Sequence, residues 1–315
     1  MARRVTTGSA HTVRATTGSG PLLADAMSAV LAQWRTEQLI SEQTLLRAAE
    51  TITRYTQRLQ RLGVQRFGEE TPLHAAGFVH APTRDGRAPE LATMHARRTC
   101  LRMLYRTLRA SGWHPGDPTL DLLLPPRGLL AARPLTGDEV ALCRMSSRLG
   151  AGARSLRMAV CWALGETTAV TSEISALRIQ DLDDPEQPTR VRLPGTRRHD
   201  PRTGHLSAWG QTVLARQLET LRAAGAGPQT LLAYRGAATP GGHVGQASVC
   251  NALGAVLDLA GLAGEADVRP ASLRHWAGRE LFDTGAPIEE VARRLGARSL
   301  DAAAEDIALH WRETL

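Results

Sequence analysis

Two adjacent side chains near the C-terminal end of this 315-residue sequence, Arg274 and His275, have the type and placement to hold a phosphate. They stand at the mouth of an apolar run from Trp276 to Phe282 that has helical spacing. A helix N-terminus carries unpaired backbone N–H groups and the positive end of a dipole, so cations placed there favour an anion. The other groups with such chemistry are also arginines: all 38 basic residues are arginine, and there is no lysine. A guanidinium fork matches phosphate oxygens and guanine edges, but it does not give up its proton near neutral pH. A formal net charge of +7 favours a polyanionic partner. Cys100, Cys143, Cys161 and Cys250 are far apart without metal-like spacing, which predicts reduced thiols, a cytoplasmic setting and no metal or cofactor.

Helices must position these groups, because Ala, Leu and Arg are plentiful and aromatics few. Residues 1–20 read as a flexible basic arm with no apolar core, hence no signal peptide. Leu22 to Leu39 has an amphipathic pattern, and Ser41 opens a helix carrying Leu45, Ile52, Tyr55 and Leu59 inward and ending at Gly63. Its polar face shows Arg47, Arg54, Arg58 and Arg61, either a solvated face or a stripe that tracks phosphates. A short helix from Thr71 to His80 precedes a long one from Glu90 to Ser111. There Leu101, Leu104, Tyr105 and Leu108 point inward, and Arg97, Arg98, Arg102, Arg106 and Arg109 are expected on the outer side. No acidic residue lies between Arg97 and Arg109, which makes this helix the foremost expected DNA contact upstream. A turn follows over 114–118, and residues 127–134 read as an interdomain linker.

Beyond the linker, Thr136 and Glu139 form a capping box for the next helix, and Arg154 to Leu164 reads as a buried helix. Thr189 to Leu193 alternates as a strand, Pro194 to His199 makes a turn, and Leu206 onward reads as a return strand or an extended segment leading to a helix. Helices are expected over Gln211–Ala224 and Gln246–Leu259. Gly285 suits a left-handed end for the helix after Arg274. Ile288, Val291, Ala292 and Leu295 then describe a second short amphipathic helix stopped by Gly296. The fold class is mainly α with a small β-sheet, α+β: a helical DNA-binding domain over 21–126 and a second domain over 135–315. No apolar run approaches the ~18 residues of a membrane span, so no membrane partner is expected.

The C-terminal residues Leu273-Arg274-His275, Gly285, Leu295-Gly296 and Ser299-Leu300 resemble, without gaps, the signature of the tyrosine recombinase (phage integrase-like) family. Leu135-Thr136 with Glu139 is similar to the opening of that family's catalytic domain, and Glu173, Leu177 and Asp181 to a further motif. The helical layout upstream, ending in a Gly-Trp-x-Pro turn, is similar to its core-binding domain. In that frame Glu173 and Arg274 are retained, and Arg274 either pairs with a carboxylate or a carbonyl and stabilises the core or, with His275, still holds a DNA phosphate. The first catalytic arginine falls on Val170, the two histidines on Ala271 and Ala297, and the nucleophilic tyrosine on Asp306. Thr196 or Arg197 stands where the family has a lysine.

Such a recombinase attacks phosphorus with a tyrosine oxygen while two arginines neutralise phosphoryl charge and a lysine or histidine protonates the leaving oxygen. The resemblance therefore implies a double-stranded-DNA-binding protein that has lost catalysis, nucleoid-associated, accessory or regulatory in recombination or integration of a mobile element. Arg47, Arg54, Arg97, Arg98, Arg102, Arg197, Arg198, Arg274 and His275 are its expected DNA contacts. Further expected partners are an active recombinase or a second copy docked through the C-terminal tail. Three alternatives stand beside it: an active integrase with a displaced or trans-donated nucleophile, a protein-interaction module without DNA binding, and an ordinary helix-turn-helix starting at Pro287.

Overall fold

A computed structural model describes residues 20–37, 40, 42–83, 85–113, 116–126, 132–148 and 152–309. The basic arm up to residue 19, Ser41, His114–Pro115, linker residues 127–131 and the His310–Trp311 end lie outside the described residues.

Four helices come first: α1 (Leu23–Thr36), α2 (Glu42–Arg61), α3 (Pro72–Val79) and α4 (Leu91–Ala110). On α2, Leu45, Ala48, Ile52, Tyr55 and Leu59 recur on one stripe and are buried against Val30 and Trp34 of α1 and Leu101 to Leu108 of α4. Burying each large aliphatic side chain stabilises by roughly 1.5–3 kcal/mol. The polar atoms taken in with them are matched: Tyr55 and Tyr105 share a hydroxyl hydrogen bond of 2.7 Å, and Trp34 Nε1 donates to Thr107 Oγ1 at 2.8 Å.

The second half holds α5 (Gly137–Ser147), α6 (Ala153–Glu166), α7 (Thr171–Ala176), α8 (Ala208–Ala223), α9 (His243–Leu259), α10 (Ala271–Asp283), α11 (Ile288–Leu295) and α12 (Leu300–Asp306). Between α7 and α8 lies a two-stranded antiparallel sheet of β1 (Arg190–Leu193) and β2 (Arg202–His205), with Arg190 opposite His205 and Leu193 opposite Arg202. The architecture is thus mainly helical with one small sheet. The Thr136–Glu139 capping box is present, Thr136 Oγ1 accepting from Glu139 N and Glu139 Oε2 from Thr136 N. Gly296 ends α11 at φ 65°, as expected; a Cβ there would meet the Asp200 carbonyl at 2.8 Å. The return strand lies at Arg202–His205, and of the two readings for Leu206 onward the structure has the extended segment leading to a helix. Leu206 leads into α8, whose N-cap is Ser207.

One buried apolar cluster runs from Leu23 of α1 through Leu273 of α10, joining the helices on both sides of the linker. A separate smaller cluster of Val291, Ala292, Leu295, Ala303 and Ile307 holds α11 and α12.

The expected outward arginine face of α4 is overturned. Arg97, Arg98, Arg102 and Arg106 are 9%, 1%, 4% and 5% exposed. Local sequence offers them no carboxylate, but the ends of other helices offer carbonyls, which lack intrahelical donors and carry the negative end of the dipole. Arg97 Nη1 bonds the Phe78, Val79 and Ala81 carbonyls at the end of α3, the last at 2.5 Å. Arg102 Nη1 reaches the Gly261 carbonyl just past the end of α9 at 2.7 Å, and Arg106 the carbonyl of Leu259, the last residue of α9. Arg98 forms a buried ion pair of 2.5 Å with Glu265 and donates to the Leu122 carbonyl at 3.0 Å. It also donates to His95 Nδ1 at 3.1 Å; since a guanidinium only donates, the ring proton sits on Nε2, which donates to the Pro125 carbonyl at 2.8 Å. Arg97 thus fastens α4 to α3, while Arg98, Arg102 and Arg106 fasten it to the second half of the chain, and none of the four presents an exposed face.

None of the described helices is long and apolar enough to cross a membrane. All four cysteines are free; Cys100, Cys143 and Cys161 are buried and Cys250 is exposed.

Candidate functional site

The retained glutamate is a structural anchor. Glu173, in the first turn of α7, accepts from Val170 N at 2.9 Å and so closes the start of its own helix. Arg202 of β2 meets it in a bidentate pair, Nη1 to Oε1 at 3.0 Å and Nη2 to Oε2 at 2.9 Å, each side chain 1% exposed. Gly195 N donates to Oε1 at 3.0 Å. Arg202 also donates to the carbonyl and hydroxyl of Thr168. With every oxygen occupied, this carboxylate pins the β1–β2 hairpin to α7. Arg202 is the residue that sequence reading missed. Its signal was its register: opposite buried Leu193, it faces inward once the return strand is placed at Arg202.

At the start of α10, Arg274 is 8% exposed. Its Nη1 meets Asp306 Oδ2 at 2.5 Å and its Nη2 donates to the Leu295 carbonyl at 2.8 Å. His275 Nδ1 donates to the Ala132 carbonyl at 2.8 Å, and its Nε2 lies 3.3 Å from Asp306 Oδ1. Ser299 caps α12 by accepting from Ala302 N, Ile307 is buried at its far end, and Asp306 is thereby delivered onto α10. Burial by itself would raise the Asp306 carboxyl; the hydrogen bond from His275 and the charge of Arg274 outweigh it and hold the group at about 2.

Val170, Ala271, Arg274, His275 and Asp306 line one cleft of about 480 Å³, with Ala169, Leu253 and Leu273 as an apolar wall. Positions that span more than a hundred residues of sequence are brought together here. Ala297 and Thr196 do not line it. Thr196 is bonded through Oγ1 to His199 Nδ1 at 3.1 Å, and His199 does face the cleft. Burial lowers the His199 imidazole below its ordinary range, and the charges of Arg274 and Arg202 lower it further. His199 was visible in sequence only as a turn residue. The three tyrosines, Tyr55, Tyr105 and Tyr234, are all buried, and none lines the cleft.

Other expected contacts separate into two groups. Arg197 and Arg198 are exposed on the turn of the hairpin whose His199 borders the cleft, and Arg190 and Arg192 point outward from β1. Arg192 pairs with Asp181 at 2.8 Å while staying 74% exposed. Arg47 and Arg54 are exposed on α2, Arg47 donating to Thr44 at 3.3 Å and Arg54 lying 3.9 Å from Glu50. Arg97, Arg98 and Arg102 are not on the surface at all. Of the two readings of Arg274, the structure shows the pairing with a carboxylate and a carbonyl, Asp306 and Leu295, and His275 faces the same carboxylate, so neither is an open phosphate grip.

No protein-family model matches this chain, and no curated protein matches it. Among solved structures it is similar to the XerA recombinase, at 16% identity over 93% of this chain and 95% of that one, with a TM-score of 0.46. It is similar as well to the XerH site-specific recombinase bound to difH substrate, at 14% identity over 94% of this chain and 100% of that one, TM-score 0.45. A third is a lambda integrase dimer bound to a COC′ core site, at 13% identity over 94% of this chain and 79% of that one, TM-score 0.42. Likeness at this level assigns neither family nor activity.

Proposed function

We propose that this chain is a double-stranded-DNA-binding protein on a tyrosine-recombinase-like scaffold that no longer cuts DNA, and that it serves an accessory or regulatory part in recombination or integration. The observation that carries the reading is the Arg274–Asp306–His275 contact. The position that the family frame gives to its nucleophile holds a carboxylate, and that carboxylate neutralises the arginine that would stabilise phosphoryl charge. A lost charge-stabilising donor typically costs ~10²–10³ in rate. Here the donor is occupied, and the cleft beside it has Val170 and Ala271 where the frame calls for an arginine and a histidine.

DNA binding is supported by exposed arginines in two places, the hairpin at Arg190, Arg197 and Arg198 and the α2 face at Arg47 and Arg54. Contacts to phosphate position a duplex without proton transfer, so arginine suffices for them. Fluorescence anisotropy on duplex DNA across a salt titration tests this: affinity should fall linearly on logarithmic axes as salt rises. A duplex with a suicide nick should yield no covalent adduct. A trapped adduct would restore the reading of a displaced or trans-donated nucleophile, and absence of binding at low salt would favour the protein-interaction module.

A further inference from the structure

The arginines that fold inward border a second cleft, which shares no lining residue with the cleft at Arg274. Arg102 and Arg106 share one face of α4 with Arg109, and all three border a cavity of about 600 Å³ between α4, the segment at 117–123 and the end of α9. Arg102 and Arg106 are more than nine-tenths buried, yet among the described residues their hydrogen bonds go to main-chain carbonyls: Gly261 and Thr119 for Arg102, Leu259 for Arg106. A carbonyl orients a guanidinium without cancelling its charge, and an ion removed from water calls for a counter-charge.

The nearby carboxylates Asp117, acting on both guanidiniums, and Glu265, acting on Arg102, partly offset burial, but neither hydrogen-bonds to Arg102 or Arg106 among the described residues. Glu265 takes Arg98 at 2.5 Å. Asp117 accepts from the Thr119 amide at 2.9 Å and hydroxyl at 2.6 Å, and stands 3.6 Å from Arg109. Asp258 is exposed at the rim. Burial accordingly lowers both guanidiniums to about 10, with the neighbouring Arg98 acting on Arg102 and Arg109 on Arg106 in the same direction. Around this cationic depth the rim is aliphatic: Leu120 is 59% exposed and Leu123 77%. A cavity of this size with an apolar rim and a few convergent polar groups is the usual form of a small-ligand site.

We propose that this cleft binds a small organic anion, its phosphate or carboxylate head on Arg102 and Arg106 and its apolar body against Leu120 and Leu123. The site does not depend on DNA binding. Because α4 and the end of α9 lie on opposite sides of the linker in sequence, an occupant ties the two halves together and raises the melting temperature.

The test titrates the full chain with inorganic phosphate and with phenyl phosphate, read by calorimetry and by Tm. Saturable binding of one phenyl phosphate per chain is expected, at least tenfold tighter than inorganic phosphate and weakened by salt. Arg106→Gln, which keeps a donor for the Leu259 carbonyl, should weaken both probes at least tenfold. Leu123→Ala, at an exposed position, should weaken phenyl phosphate alone, and Asp258→Asn should tighten both. If Arg106→Gln does not fold, the two surface variants decide. No saturable binding of phenyl phosphate, or binding that neither surface variant alters, overturns the proposal.

Discussion

At the scale of single residues, Asp306 decides what Arg274 and His275 can meet. A carboxylate there mimics what a phosphodiester would offer to Arg274 and His275: oxygen acceptors and negative charge. Asp306→Asn removes the charge while keeping the shape. The expected outcome is tighter DNA binding, with the logarithmic salt slope steeper by about one as Arg274 gains a phosphate. Anisotropy on the same duplex measures it; an unchanged slope would show that the cleft never meets DNA. The same pair predicts a pH dependence. The folded-state carboxyl at about 2 lies below its ordinary value of 3.8, so the pair contributes stability that is complete above pH 4 or so and is lost as pH falls towards 2. The contribution is on the order of 2 kcal/mol. Urea midpoints of the parent and of Asp306→Asn should converge as pH drops from 5 to 2.

At the scale of elements, the hairpin and α4 answer to different rules. The β1–β2 hairpin hangs on the Glu173–Arg202 pair, both side chains 1% exposed. Removing one partner leaves a buried charge alone, which typically costs 3–5 kcal/mol. Arg202→Met should therefore lower stability by about that much in urea titrations, and by more than Glu173→Gln with Arg202→Met together, since the double change removes both charges. Exposed Arg197 and Arg198 on the turn should behave in the opposite way. Arg197→Ala with Arg198→Ala should leave Tm within about a degree or two, as surface changes do. It should also weaken duplex binding evenly across sequences and lower the salt slope by about two.

The long α4 shows where sequence reading stopped. Its helical bounds, its apolar stripe and even its arginine periodicity were legible, because these are local properties. The fate of the arginines was not, because their acceptors are carbonyls at the ends of α3 and α9.

At the scale of the whole molecule, buried arginines fasten the two halves that the sequence divides at the linker. Arg98 is the central one, reaching Glu265 and the Leu122 carbonyl. Arg98→Ala leaves Glu265 buried without its cation, and a loss of about 3–5 kcal/mol is expected in denaturant titrations. The DNA salt slope should remain that of the parent under conditions where the variant is folded. A shallower slope would return this residue to the surface role that its sequence context suggested.

What the amino-acid sequence determined by itself was local: the helix stripes, the capping box at Thr136 and Glu139, the left-handed stop at Gly296, and the order of residues that the recombinase-like frame puts in register. Those features depend on neighbours within a turn or two of chain, where spacing and residue type suffice. Tertiary structure alone decided which charges face water. Arg274 and Arg197 look alike in sequence, yet one is closed by a carboxylate 32 residues away and the other stands open on a turn. The reason is physical: a guanidinium goes wherever acceptors can replace its water, and those acceptors are assembled only when distant helix ends and carboxylates meet.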